Sequence, residues 1–223
     1  MSGAGAATPR PVVGILGFGK LGMVLARSAE HAGHRVLAAA SGDPIRLRMM
    51  RDALTPGVEI GWAQEVAERA DIVILALPFS AYRELPATAV AGKVVVDATN
   101  HWPEVDGPRE LYATAADSTS EVLQRELPAS IIVKAFNHIG YHDLEPPRWP
   151  VGDPRRTAIA IAGDDRQATA AVAVLVQAMG FAPLEVGRLA GGRVLEPGSR
   201  AFGASLPERD LRRLLAMPPG PAG

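Results

Sequence analysis

Gly17, Gly19 and Gly22 stand in the run Gly17-Phe18-Gly19-Lys20-Leu21-Gly22, a G-x-G-x-x-G. At this spacing each glycine has a different job. The first makes a tight turn, the second lets a pyrophosphate approach the backbone, and the third lets a helix lie close on a strand. The motif alone is a weak signal, and its surroundings strengthen it. A buried-strand pattern, Val12 to Leu16, leads into it, and an apolar helical pattern through Leu21, Val24 and Leu25 leads out. The first amides of that helix would face the phosphates. The chemistry these residues imply is recognition of a dinucleotide.

Four further clusters fall where strands are expected to end. Ser41-Gly42-Asp43-Pro44 follows the second strand, where such a fold meets the adenosine ribose. An acidic Asp43 there would suit the ribose 2′-hydroxyl of NAD. Ser41, a helix N-terminus and Arg46 would suit the 2′-phosphate of NADP. Asp43 precedes proline and has a capping role of its own, which tips the chemistry toward NADP while leaving both arrangements open. Leu77 and Pro78, after the fourth strand, are candidate cofactor contacts. Thr99 and Asn100, after the fifth, are candidate partners for a nicotinamide or its ribose, and Asn is equally at home in a turn. Asn137 and His138, after the sixth, are candidate ligand or proton-handling groups. His138, His142 and Asp143 have part of a metal-site spacing but no adjacent further ligands, so no metal is expected.

The elements that must hold these groups follow from periodicity and punctuation. Strands are expected at Val12–Leu16, Arg35–Ala40, Val58–Ile60, Asp71–Leu77, Lys93–Ala98, Ser130–Phe136, Thr157–Gly163 and Phe181–Val186. Helices are expected at Lys20–Ala32, Pro44–Leu54, Gln64–Arg69 and Ser80–Leu85, from Asp117 to Leu127, after Asp164-Asp165, and at Pro207–Met217. Alternation of the two predicts an α/β fold with an open parallel sheet that binds its ligand outside the strand ends. The expected division is a dinucleotide-binding domain over residues 10–150 and a lobe over residues 151–223 packed on it. Glu145–Arg156, rich in proline, reads as a lid or linker, Gly187–Ala204 as a loop, and Met1–Pro11 and Met217–Gly223 as tails.

With 223 residues, 48% of them hydrophobic, the chain can bury one sizeable core. A formal net charge of −1 gives no basic surface for nucleic acid. The absence of cysteine excludes disulfides and thiolate chemistry and is compatible with a cytoplasmic location. No apolar run is long enough to span a membrane, and Met1–Pro11 lacks the apolar segment of a secretory signal. The partners expected are a small-molecule redox acceptor and, as an assembly, a homodimer.

The segments VVGILGFGKLG, DIVILALP, VVVDATN, IIVKAFN, IAGDD and GFAPLEVGRLAGGRVLEP follow one another between Val12 and Pro197. In that order the chain resembles the NADP oxidoreductases dependent on the deazaflavin coenzyme F-420. Its KAFN and AGDD segments are also similar to the flavin-using domain of membrane metalloreductases. The resemblance implies an α/β Rossmann-type doubly wound, mostly parallel sheet with a small C-terminal lobe, and NADP binding, with a deazaflavin or FAD/FMN as second cofactor. It implies Gly17 to Gly22 at the pyrophosphate, Ser41 at the 2′-phosphate, Leu77 and Pro78 beside the ribose, and Ala98 to Asn100 near the nicotinamide. Asn137 and the Gly187–Leu195 loop would border the second cofactor. The family usually has Ser-Arg at the adenosine 2′ position, whereas here Gly42 follows Ser41 and the arginines are Arg46 and Arg48.

The expected function is hydride transfer between NADP(H) and a deazaflavin or flavin-type acceptor, in which the protein mainly holds two rings face to face. One alternative is an NADPH-dependent reductase of a small imine or carbonyl compound, with His138, Tyr141 or Lys134 as proton donor. Another is a non-catalytic NADP(H)-binding sensor, since a fold does not dictate an activity.

Overall fold

Short apolar strands dominate the computed structural model, which describes residues 10–114, 117–145 and 149–216. In chain order the strands are β1 (Val13–Leu16), β2 (Val36–Ala39), β3 (Glu59–Ile60), β4 (Ile72–Leu75), β5 (Val94–Asp97), β6 (Ile131–Lys134), β7 (Ala158–Gly163) and β8 (Ala182–Gly187). The helices are α1 (Lys20–His31), α2 (Arg48–Leu54), α3 (Ala63–Arg69), α4 (Pro103–Asp106), α5 (Thr119–Glu126), α6 (Arg166–Ala178) and α7 (Glu208–Ala216).

All eight strands join one sheet in the order β3-β2-β1-β4-β5-β6-β7-β8. Neighbours run parallel except β6 and β7, which pair antiparallel through Val133 with Gly163 and Lys134 with Ala162. The strands alternate sides, so both faces are apolar. Val13, Ile15, Ile72, Ile74 and Val96 pack with Val24 and Leu25 of α1 and Val172 and Val176 of α6. Leu16, Val73, Leu75 and Val95 pack on the other face with Val66 of α3 and Leu123 of α5. This is the expected doubly wound α/β sheet. The winding reverses between β1 and β4, and ligands in such sheets bind outside the strand ends at that reversal.

From β7 onward the chain builds a small apolar cluster of its own at the sheet edge. Ala158, Ala160, Leu184, Leu195 and Leu211 meet there, the last from α7.

Several local expectations change form. Pro44–Leu54 is not one helix: a 3-10 turn at Pro44–Leu47 leads into α2, and neither piece buries a residue. Only Leu47 and Met50 pack against the core there, both partly buried, so little tertiary packing selects a continuous α-helix. Ser80–Leu85 is a 3-10 turn, Phe79–Glu84, pinned by buried Phe79 and Tyr82. The loop expected after Gly187 contains a 3-10 helix, Leu189–Leu195, whose Leu189 and Leu195 enter the core. The proposed tails lie almost wholly outside the described residues, as does the middle of the proline-rich Glu145–Arg156 stretch. Among the described residues no helix is long and apolar enough to cross a membrane.

Candidate dinucleotide and acceptor site

The three motif glycines separate physically. Gly17 has φ +102°, and a Cβ on it would lie 2.3 Å from the Ala76 carbonyl oxygen in the loop after β4. A Cβ on Gly22 would lie 1.8 Å from the Gly17 carbonyl oxygen, so any side chain there drives α1 off the turn. A Cβ on Gly19 would meet nothing within 4 Å. That open space is where a pyrophosphate can approach the backbone. Gly19 is also the N-cap of α1, with no side-chain cap and no acidic residue in the first turn. The free amides and positive dipole end of the twelve-residue α1 therefore face a concavity.

That concavity has a volume of about 400 Å³ and is lined in part by Gly17, Phe18, Gly19, Ser41, Leu77 and Pro78. Six of the predicted cofactor residues thus share one groove. Phe18 contributes backbone, because its side chain is only 3% exposed and belongs to the core. Lys20 is exposed at the start of α1 with its ammonium 5.5 Å from the Tyr141 ring centroid. Asp43 is occupied as a cap, its Oδ1 accepting from the Ile45 amide at 2.9 Å. Arg46 is exposed in the 3-10 turn that follows and does not line the groove itself.

Leu21 faces a second cavity, of about 220 Å³, with Asn100, Trp102, Asn137, Tyr141 and Phe202 among its walls. Trp102 and Phe202 meet edge to face, their centroids 5.7 Å apart. Asn100 and Asn137 come from the ends of β5 and β6, and they clasp each other. Asn100 Nδ2 donates to the Asn137 carbonyl at 2.8 Å, and Asn137 Nδ2 donates to Asn100 Oδ1 at 3.1 Å and to the Leu195 carbonyl at 2.8 Å.

Two expectations need correction here. Thr99 does not offer its side chain to a ligand: it is 2% exposed, and its hydroxyl donates to Asp97 Oδ1 at 2.6 Å. His138 is not a proton-transfer group. Its Nε2 accepts the Ala160 amide at 3.0 Å, its ring is fully buried, and burial pushes its pKa down to about 4. It is neutral at pH 7, with its proton on Nδ1. Asn137 is kept as a wall of the cavity but is an anchor by its bonds. Asn137 Oδ1 and His138 Nδ1 are buried polar atoms with no protein partner.

Sequence reasoning missed two features. Phe136, just before Asn137, has φ +65°, uncommon and costly for a bulky residue. No local signal announces it. Asp97 and Lys134 form a fully buried ion pair with Nζ to Oδ2 at 2.9 Å. A signal was present: the single charge at the end of each of two otherwise apolar strands. Burial pushes the Asp97 carboxyl up, but the Lys134 ammonium and the Ser120 and Thr99 hydroxyls outweigh it and hold the pKa below its ordinary value.

Residues 12–101 match the family model described as "NADP oxidoreductase coenzyme F420-dependent". The chain carries a domain of this family. The family is, by that description, one of NADP-dependent oxidoreductases. The metalloreductase STEAP3 of Rattus norvegicus is 32% identical over 191 residues, which is 83% of this chain. The chain spans only 36% of the length of that relative. Among solved structures, a hypothetical protein of Sinorhizobium meliloti is 27% identical with a TM-score of 0.73, covering 88% of this chain and 95% of that one. A protein of Arthrobacter sp., proposed to be an F420-dependent NADP-reductase, is 24% identical with a TM-score of 0.69, over 81% of this chain and 86% of that one. An imine reductase of Pseudomonas sp. shares the fold at 18% identity and a TM-score of 0.59, over 82% of this chain and 57% of that one. The match to the family domain ends just past Asn100, so it contains the phosphate groove and stops short of Asn137, Tyr141 and Phe202.

Proposed function

We propose that this protein is an oxidoreductase that moves a hydride between NADP(H) and a flat deazaflavin or flavin-type acceptor. The observation that carries the reading is the open Gly19 position at the uncapped N-terminus of α1, continuous with a groove that reaches Ser41. A phosphate-rich ligand fits the Gly17–Gly19 end of that groove, since a Cβ-free cradle and free amides favour an anion and the first turn of α1 carries no acidic side chain; the acidic Glu84 also lines the groove. The nicotinamide dinucleotide would supply the hydride. The chain's part is to hold the phosphates at Gly17–Gly22, to seat the adenosine 2′ end near Ser41 and Arg46, and to bring the far end past Leu21 to Asn100. The cavity walled by Trp102, Tyr141 and Phe202 is the place for the acceptor ring, with the unpartnered Asn137 Oδ1 and His138 Nδ1 beside it. Residues 10–150 supply the dinucleotide half, and residues 151–223 close the acceptor side through Phe202 and Leu195.

An imine or carbonyl reductase needs a proton donor at the acceptor. Of the three candidate groups, His138 is neutral and packed, Lys134 is buried in its ion pair, and only Tyr141 is a free wall of the cavity. The imine or carbonyl reading therefore rests on Tyr141 as its proton donor.

The test is titration with NADPH and NADH, followed by NADPH oxidation in the presence of deazaflavin, FMN or FAD. Tighter binding of NADPH and oxidation only with one of these acceptors are expected. Binding without turnover would make the protein a sensor, and no binding would end the dinucleotide reading. The double substitution Ser41→Ala with Arg46→Ala should weaken NADPH about tenfold more than NADH, the scale of one charge-assisted contact. Equal losses would return the specificity role to Asp43.

A further inference from the structure

Lys134 is wholly buried, and its ammonium makes three hydrogen bonds, to Asp97 Oδ2 at 2.9 Å, the Thr99 carbonyl at 3.2 Å and Thr119 Oγ1 at 3.1 Å. A lysine has three protons, so none is left to give. Asp97 is just as fully engaged. Its Oδ1 accepts from the Thr99 amide at 2.9 Å and the Thr99 hydroxyl at 2.6 Å, and its Oδ2 accepts from Ser120 Oγ at 2.6 Å. The amide, hydroxyl and carbonyl of Thr99 are therefore all held by one ion pair. Asp97 and Lys134 are register partners on adjacent strands, both at the carboxyl end.

The attraction within such a pair adds little to stability by itself, because burying both charges consumes most of what it returns; what the pair does is satisfy the buried Thr99 amide and carbonyl and the Ser120 hydroxyl. What apolar residues cannot do is hold the peptide between Thr99 and Asn100 in one place. We propose that Lys134, through its ion pair with Asp97, is the positioning residue of the hydride-transfer site. It pins Thr99 so that Asn100 stands at the mouth of the acceptor cavity, facing the end of the dinucleotide that reacts.

Two neighbouring features fit the same purpose. The strained Phe136 turns the chain after β6 so that Asn137 meets Asn100 from the other side. Gly192 lies against the Lys134 stem, where a Cβ would approach Cδ to 3.0 Å, so the 3-10 helix 189–195 covers the pair. The acceptor-side walls from β5, from β6 and from the C-terminal segment thus share one buried network.

This inference rests on the dinucleotide reading above, and the experiment separates the two. Lys134→Met alone would leave Asp97 buried and unpaired, so it is combined with Asp97→Asn, which can still accept from Thr99 and reach Ser120. The probes are NADPH and 2′,5′-ADP, the latter lacking the nicotinamide, each titrated against wild type and the double variant. The double variant should bind 2′,5′-ADP within about twofold of wild type while the NADPH advantage over 2′,5′-ADP shrinks about tenfold, the scale of one lost positional contact. In the background of Asn100→Ala the double substitution should cost nothing further, since it acts through that residue. An unchanged NADPH advantage overturns the proposal, and so does a parallel loss of both ligands, which would mark the pair as structural. If wild type binds neither probe, the dinucleotide reading fails and this proposal with it.

Discussion

His138 stands beside the acceptor cavity, yet its chemistry is that of a packed side chain. Desolvation places its folded pKa near 4, below the unfolded value of about 6.5. Between those two values the unfolded chain binds a proton that the folded chain refuses, so stability falls as pH falls through that window. The difference corresponds to about 3 kcal/mol, fully present above pH 6.5 and progressively lost toward pH 4. His138→Gln can still accept the Ala160 amide and has no proton to gain. Urea midpoints taken from pH 7.5 to 4.5 should therefore decline less steeply in that variant than in wild type. Identical slopes would show that another group carries the pH dependence. Thr99 and Asn100 make the same point about residue types: both are polar, adjacent and at a strand end, but Asp97 and Lys134 consume all of Thr99's polar atoms and leave Asn100 at the cavity.

At the scale of the element, the β1 turn and α1 form a unit whose glycines fail in different ways. Gly22→Ala puts a Cβ onto the Gly17 carbonyl, a backbone atom with nowhere to go. It should destabilise the fold by about 1–3 kcal/mol or more, read as a lower thermal midpoint with or without ligand. Gly19→Val has ordinary backbone geometry, φ −81°, and open space around its Cβ. It should cost about 1 kcal/mol, the loss of a favourable N-cap residue, and abolish dinucleotide binding. A Gly19→Val protein that still binds would sink the pyrophosphate assignment. The pair separates folding from recognition within one short stretch of chain.

For the whole molecule, what matters is how the C-terminal segment is tied to the dinucleotide half. Buried Glu196 does much of this. Its Oε1 accepts from the Thr119 amide at 2.7 Å and the Thr119 hydroxyl at 3.1 Å, and its Oε2 pairs with Arg109 at 3.0 Å. Thr119 is also an acceptor for Lys134, so the tie joins the positioning network. Glu196→Ala leaves the Thr119 amide buried without a partner and should cost about 1–3 kcal/mol in denaturant unfolding. Glu196→Gln retains the acceptor toward Thr119 and should cost clearly less. Equal losses would place the weight on the Arg109 ion pair instead.

The eight strands, the capping aspartates Asp43 and Asp165 and the glycine motif were legible from the sequence. Each depends on residues within a turn or two of one another: apolar periodicity makes a strand or helix, a carboxylate two or three positions ahead caps it, and glycine spacing makes the turn. The resemblance to the family rested on the same local strings. The tertiary structure alone decided which strand-end polar groups are free to meet a ligand. His138 is neutralised by an amide on β7, Thr99 is consumed by a lysine on the neighbouring strand, and Asn137 is anchored by the carbonyl of Leu195. Those partners are distant in the chain, and no local pattern encodes them. A polar side chain's role depends on whether its hydrogen-bonding capacity is already spent, and that is known only once the fold has brought its partners together.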